Sequence, residues 1–170
     1  MVIKKIAFCT DFSENANQAF DMAFDLTQKY QAQLLLTHIL REPELICRNP
    51  PTSEELDLVR RLTECNQLYA TKYFDQLTSQ LSLHEVNVQT RVEISKNPSE
   101  TLDRLMDEDK VELVMLTAHG TSGSKKWPYG SLATHFILYG STPVIILQDL
   151  QPEEIEKSKA ELAAGEFKGH

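Results

Sequence analysis

From Thr117 to Ser131 the chain reads Thr-Ala-His-Gly-Thr-Ser-Gly-Ser-Lys-Lys-Trp-Pro-Tyr-Gly-Ser, and this stretch holds three of its six glycines. A glycine lets a backbone come close to a ligand or to another strand of chain where a side chain would block it. Gly120 is followed, after nine residues, by Gly130-Ser131 at the opening of a helix-like segment. Helix N-termini present unpaired N–H groups and a partial positive charge, and Ser131 adds a hydroxyl donor, so such a segment can hold a phosphate. Taken alone, Gly130 and Ser131 are better accounted for by a turn glycine followed by an N-cap serine. The other familiar chemistries have no carrier: there is no GK[ST] after Gly120, and no GxGxxG, HExxH, GxSxG or paired Cys/His spacing.

The elements that must position this loop follow from periodicity. Ile3 to Thr10 is an apolar strand-like run ending in Asp11-Phe12-Ser13-Glu14, where Asp11 or Ser13 can cap a helix. Ala16, Ala19, Phe20, Ala23, Leu26, Thr27 and Tyr30 then recur at helical spacing. Leu34 to Leu40 reads as a second strand, and Thr52-Ser53-Glu54-Glu55 as a capping box opening a long helix through Leu62, Cys65, Tyr69, Tyr73, Leu77 and Leu81. Val86, Val88, Thr90, Val92 and Ile94 alternate with polar residues, the pattern of a strand with one wet face. Asn97-Pro98-Ser99-Glu100 predicts a capped short helix carrying Leu102, Leu105 and Met106, and Val111 to Ala118 a central strand. After the glycine loop come a helix with Leu132, Ala133, Phe136 and Ile137, a stop at Gly140, and a last strand from Pro143 to Leu147.

Five strands alternating with four helices imply an α/β fold, a doubly wound parallel sheet with helices on both faces and right-handed crossovers. Ligands of such folds lie beyond the carboxyl ends of the strands, where the strand order reverses. Asp11 ends the first strand and His119-Gly120 the fourth, so neighbouring first and fourth strands would bring them together. Of the five histidines only His119 has that address; the others read as solvent-facing or locally bonded. The segment from Asp149 to His170 is charged, with Ile155, Leu162 and Phe167 as sparse apolar points, and is read as a tail after a domain covering 1–148.

With 170 residues, 41% hydrophobic and 25% charged, the composition is that of one globular domain. A formal charge of −8 repels polyanions, which argues against nucleic acid and anionic membranes as partners. No apolar run is long enough to span a bilayer and the start lacks a signal-like apolar core, so a cytoplasmic location is expected. Cys9, Cys47 and Cys65 form no CxxC pair, and Cys9 and Cys65 are read as buried free thiols. No metal ligand set is expected.

Asp11 in Lys4-Lys5-Ile6-Ala7-Phe8-Cys9-Thr10-Asp11-Phe12-Ser13, together with Gly120-x9-Gly130-Ser131, resembles the universal stress protein (UspA-like) family, whose pattern is GxxGx9G[ST] after the fourth strand. Leu36-Thr37-His38-Ile39 is similar to the family's second strand and Thr142-Pro143-Val144-Ile145-Ile146 to its last. Two positions depart from the pattern: Thr117 stands for the first glycine of the loop motif, and Lys96 for a glycine before the third helix. The resemblance implies a Rossmann-like, adenine nucleotide α-hydrolase-like fold with strand order 3-2-1-4-5. It also implies that ATP or a related adenine nucleotide binds, with Mg²⁺ as a possible companion, and that the last strand, Val144 to Leu147, pairs across a homodimer axis.

Carried over by position, Cys9, Thr10, Asp11 and Ile39 would line base and ribose, Leu116, Thr117 and Gly120 the floor, and Gly130, Ser131 and Leu132 the phosphate cradle. Lys125 and Lys126 would reach outer phosphates, or form a solvated pair; Trp127 admits several roles. Thr117 costs affinity if that position needs positive φ, and little if only space is needed. Three readings stand: a nucleotide-binding, dimeric stress regulator; a dimeric interaction protein of the same fold without nucleotide; and, lowest, a slow ATPase or nucleotidyl-transferring enzyme with Asp11 or His119 as base. No second catalytic group is placed for the last.

Overall fold

The computed structural model describes residues 2–43, 50–120, 129–148 and 152–163. Ten elements follow one another as β1 (Lys5–Cys9), α1 (Glu14–Tyr30), β2 (Gln33–Arg41), α2 (Ser53–Ser82), β3 (Val88–Ser95), α3 (Pro98–Glu108), β4 (Leu113–Thr117), α4 (Ser131–Tyr139), β5 (Val144–Leu147) and α5 (Pro152–Ala163). The strands form one parallel sheet in the order β3-β2-β1-β4-β5. From β1 the chain winds outward to β2 and β3, then returns to the other side of β1 as β4, so the reversal falls between β1 and β4. There Phe8 pairs with Met115 and Ile6 with Leu113.

Continuously apolar strands require cover on both faces, and both are covered. Ile6, Phe8, Leu34, Leu36 and Met115 pack beneath Ala16, Ala19 and Ala23 of α1 and Phe74 and Leu81 of α2. Their neighbours Ala7, Leu35, Val114 and Leu116 face Leu102, Leu105 and Met106 of α3 and Ala133 and Phe136 of α4. The alternating β3 pattern matches its place at one edge of the sheet, where no strand lies beyond it among the described residues.

Several local expectations are corrected. Cys65, Leu62 and Tyr69 are exposed on α2; its buried residues are Ala70, Phe74 and Leu81. The thirty-residue helix outruns the sheet, so its first half has no core to cover and its buried stripe begins only at Ala70. Asn97 sits at the α3 N-cap without a capping bond and instead donates from Nδ2 to Glu100, so Pro98 alone marks that helix start. Ile137, expected inward on α4, is exposed. By contrast Ser13 caps α1 by accepting from Ala16 N–H, and Thr52 with Glu55 forms the capping box of α2.

At the amino ends of the strands, Asp109 ties three elements together. Its carboxylate, nearly buried, accepts from Arg91 Nε at 3.0 Å and Gln89 Nε2 at 2.9 Å and lies 3.9 Å from Lys5 Nζ. Burial would raise its pKa, but the bonds from Arg91 and Gln89 outweigh that and hold it below the usual carboxylate range. Such a carboxyl adds stability above its unfolded pKa of about 3.9, stability that is lost as pH falls through the lower folded value. Asp109→Asn is expected to cost about 1–2 kcal/mol at neutral pH, roughly 2–8 °C in Tm. In thermal melts the difference between the two proteins is expected to shrink as pH falls below about 4 and to vanish only once pH is under the lowered native pKa of Asp109.

Candidate functional site

The carboxyl ends of β1 and β4 deliver Thr10-Asp11 and Thr117 to Gly120 to the same place, and the two segments touch. A Cβ built on Gly120 would lie 2.5 Å from Asp11 Oδ2 and 3.2 Å from its Cγ. No side chain fits there while the carboxylate keeps its position. The other oxygen, Oδ1, accepts from Ser13 N–H at 3.1 Å, which turns the chain into α1.

Thr10 and its neighbours fix the approach to Asp11. Thr10 N–H continues the β1–β2 ladder to the Thr37 carbonyl at 3.1 Å, and its hydroxyl oxygen accepts from Phe12 N–H at 2.9 Å. The Thr10 carbonyl accepts from His38 Nδ1–H at 2.7 Å. Burial lowers the His38 pKa, against smaller opposing contributions from the Thr10 bond and the Asp11 charge. Phe12 itself stands at φ 64. For a bulky residue this left-handed backbone costs about 1–3 kcal/mol, and the ring it carries makes compensating contacts. It lies 4.3 Å from His38, 4.8 Å from Tyr73 and 5.8 Å from Tyr69, centroid to centroid.

On the far side of the loop the chain returns against the β4 end. Gly130 N–H donates to the Ala118 carbonyl at 2.6 Å, and a Cβ on Gly130 would come within 3.2 Å of that oxygen. Gly130 has φ −70, so it serves close approach and not a left-handed turn. It is also the N-cap of α4, and has no side chain to cap with. The first helical bond runs from Thr134 N–H to the Gly130 carbonyl, which leaves the N–H groups of Ser131, Leu132 and Ala133 without an intrahelical acceptor. Their partial positive charge sits in an otherwise acidic chain, beside an exposed Ser131.

The sequence-predicted residues therefore divide. Asp11 with Gly120, and Gly130 with the turn at Ala118-His119, are brought together. Cys9 and Leu116 lie in the core beneath α3 and α4, so their side chains are packing groups and only their backbone faces the strand ends. Burial pushes the Cys9 thiol up, far from thiolate formation at neutral pH. Ile39 and Leu132 are half-buried and pack on that same cluster. Thr117 is the last residue of β4 and is absent from the left-handed residues, and its hydroxyl donates to the His119 carbonyl at 2.8 Å. The strain that a threonine would suffer at positive φ does not arise. His119 is buried, at 2% exposure. Lys125, Lys126, Trp127 and Cys47 lie outside the described residues.

His38 and Phe12 were not singled out by sequence reading. The signal for His38 was its place one residue after Thr37, which pairs with Cys9; parallel register then sets it beside Thr10. Among the described residues no group of three or more His, Cys, Asp or Glu side chains could hold a metal ion, and no helix is long and apolar enough to cross a membrane.

These features define a doubly wound α/β protein with an acidic side chain at the end of β1 and the start of α4 returning against the end of β4. The profile of the universal stress protein family matches residues 3–148, and the chain belongs to that family. No curated protein matches it. Among solved structures it is similar to the universal stress protein UspA from Lactobacillus plantarum, with 19% identity, 86% of this chain and 99% of that chain covered, and a TM-score of 0.76. A universal stress protein family protein from Arabidopsis thaliana with AMP bound matches at 11% identity over 88% and 94% of the chains, with a TM-score of 0.58. A universal stress protein in complex with cAMP matches at 17% identity over 86% and 98%, with a TM-score of 0.56. At such identities the likeness is one of fold.

The Asp11–Gly120 contact is open to a thermodynamic cycle. Gly120→Ala is expected to cost about 1 kcal/mol in urea denaturation, because the added methyl must move the Asp11 carboxylate off its bond from Ser13 N–H. In an Asp11→Ala background the same substitution is expected to cost less than half as much; equal costs in both backgrounds would show that the two residues are not in contact.

Proposed function

We propose that this chain binds an adenine nucleotide, ATP foremost, at the β1–β4 switch point and works as a homodimeric regulator in a stress response. The observation that carries the reading is the close approach of Gly120 to Asp11 beside the uncapped start of α4. An anion at that helix start would take N–H bonds from Ser131 and Leu132 and the Ser131 hydroxyl, with Gly130 offering no side chain in its path. Asp11 would accept bonds from ribose hydroxyls, while Thr10 and Ile39 at the ends of β1 and β2 flank the base. Cys9, Leu116 and Thr117 form the floor through their backbone, and Lys125 and Lys126 are assigned to the outer phosphates. A Mg²⁺ ion would arrive with the phosphates. The relatives with bound AMP and cAMP support the ligand class.

The dimer is proposed through β5. Its four residues, Val144 to Leu147, are half-buried and hydrogen-bonded on one side to β4. An apolar edge left open is an aggregation hazard, and a second β5 would cover it. Ile137, Leu138 and Tyr139 of α4, which packs on β5, are exposed beside it. A cytoplasmic location accords with this reading.

Calorimetry on nucleotide-free protein is expected to show heat on titration with ATP in the presence of Mg²⁺, and Gly130→Glu is expected to weaken binding at least ~10-fold by placing a carboxylate in the anion's path, about 1.4 kcal/mol. Absence of heat with the native protein would instead favour an interaction protein that uses the fold without nucleotide. Sedimentation at micromolar concentration is expected to give a dimer; a monomer would remove the β5 assignment.

A further inference from the structure

Phe12 joins the candidate site to α2. Its backbone, at φ 64, is held on both sides: Phe12 N–H donates to Thr10 Oγ1 at 2.9 Å, and the following Ser13 N–H to Asp11 Oδ1 at 3.1 Å. The carbonyl of Thr10 is fixed in turn by His38 at 2.7 Å. The left-handed region is narrow for a residue with a side chain, so a rotation at Asp11 has little room to dissipate in the Phe12 dihedrals.

The Phe12 ring is set among His38 of β2 and Tyr69, Tyr73 and Phe74 of α2, with centroid distances from 4.3 to 5.8 Å. Tyr69 is also the last member of an exposed stripe, Leu58, Leu62, Cys65 and Tyr69, spaced four, three and four residues apart along one side of the overhanging half of α2. We propose that Phe12 is a positioning residue that holds the Asp11 carboxylate against Gly120 and couples its orientation to α2, so that whatever displaces Asp11 is felt at Tyr69 and Tyr73. The inference adds a route out of the site to the nucleotide reading, and its ligand arm rests on that reading; its ligand-free arm does not.

The test is ¹⁹F NMR of the full chain with 3-fluorotyrosine at its five tyrosines, each resonance assigned by Tyr→Phe substitution. Gly120→Ala supplies the ligand-free displacement, because the three heavy atoms nearest the added methyl all belong to Asp11. The Tyr69 and Tyr73 resonances are expected to move in that variant, while those of Tyr30 and Tyr139, on α1 and the end of α4, hold still. With Phe12→Leu in the background, the response at Tyr69 and Tyr73 is expected to fall at least two-fold. Unmoved Tyr69 and Tyr73 resonances in Gly120→Ala, or the same movement with and without the Phe12 ring, would overturn the coupling.

Should Phe12→Leu fail to fold, Asp11→Ala compared with Asp11→Ala/Gly120→Ala tests whether the response at α2 runs through the Asp11 carboxylate at all. Without the carboxylate the alanine has nothing to push, so the two spectra are expected to agree at Tyr69 and Tyr73, and a persistent difference overturns the proposal. Saturating ATP is expected to move the same two resonances in the native chain. ATP that binds by calorimetry and leaves them unmoved sinks the coupling and spares the nucleotide reading. ATP that gives no heat sinks the nucleotide reading, and the Gly120→Ala spectra still decide the coupling.

Discussion

The Asp11 carboxylate occupies the volume that a side chain at position 120 would need, 2.5 Å from where its first carbon would stand. Much of the surrounding structure can be understood as what permits this contact. It needs β1 and β4 to be neighbours, which the order β3-β2-β1-β4-β5 provides. It needs the chain to leave β1 by a sharp turn, which the Thr10 hydroxyl, the His38 ring and a left-handed Phe12 enforce. It also needs the chain leaving β4 to be glycine at one position and unstrained just before it, and Thr117 meets the second condition as an ordinary strand residue.

The return of the loop at Gly130 adds the complementary half. Its N–H closes on the Ala118 carbonyl, and its missing side chain leaves the first turn of α4 uncapped, so donors and a carboxylate face the same strand ends from two directions. A charged side chain and an N-terminal helix field at the same strand ends are the features on which the proposed nucleotide site rests. Net acidity elsewhere in the chain makes this local arrangement of backbone donors the more telling, since bulk charge would repel the same anion.

Much of this was legible in the sequence. The strand and helix order follows from periodicity, and the positions of Asp11, Gly120 and Gly130 at strand ends and a helix start could be read from it. What was not legible depended on register and on length. His38 could be assigned beside Thr10 only once Cys9 was known to pair with Thr37. Leu62, Cys65 and Tyr69 share a helical stripe that stays exposed, because periodicity reports an apolar face without saying whether a sheet extends far enough to cover it. Leu116 and Cys9 have a site address by strand position, yet strand alternation turns their side chains into the core. One of the two difficulties foreseen at Thr117 rested on a backbone angle, which side-chain identity alone does not fix; the other, the space its side chain fills, is independent of that angle.

The most direct measurement is an ATP titration of the ¹⁵N-labelled chain with Mg²⁺, followed by amide shifts. Binding at the switch point predicts saturable shifts that are largest at Asp11, Gly120, Gly130, Ser131 and Leu132, with the amino-end residues around Asp109 undisturbed. Shifts centred away from those five amides, or none at saturating nucleotide, would contradict it.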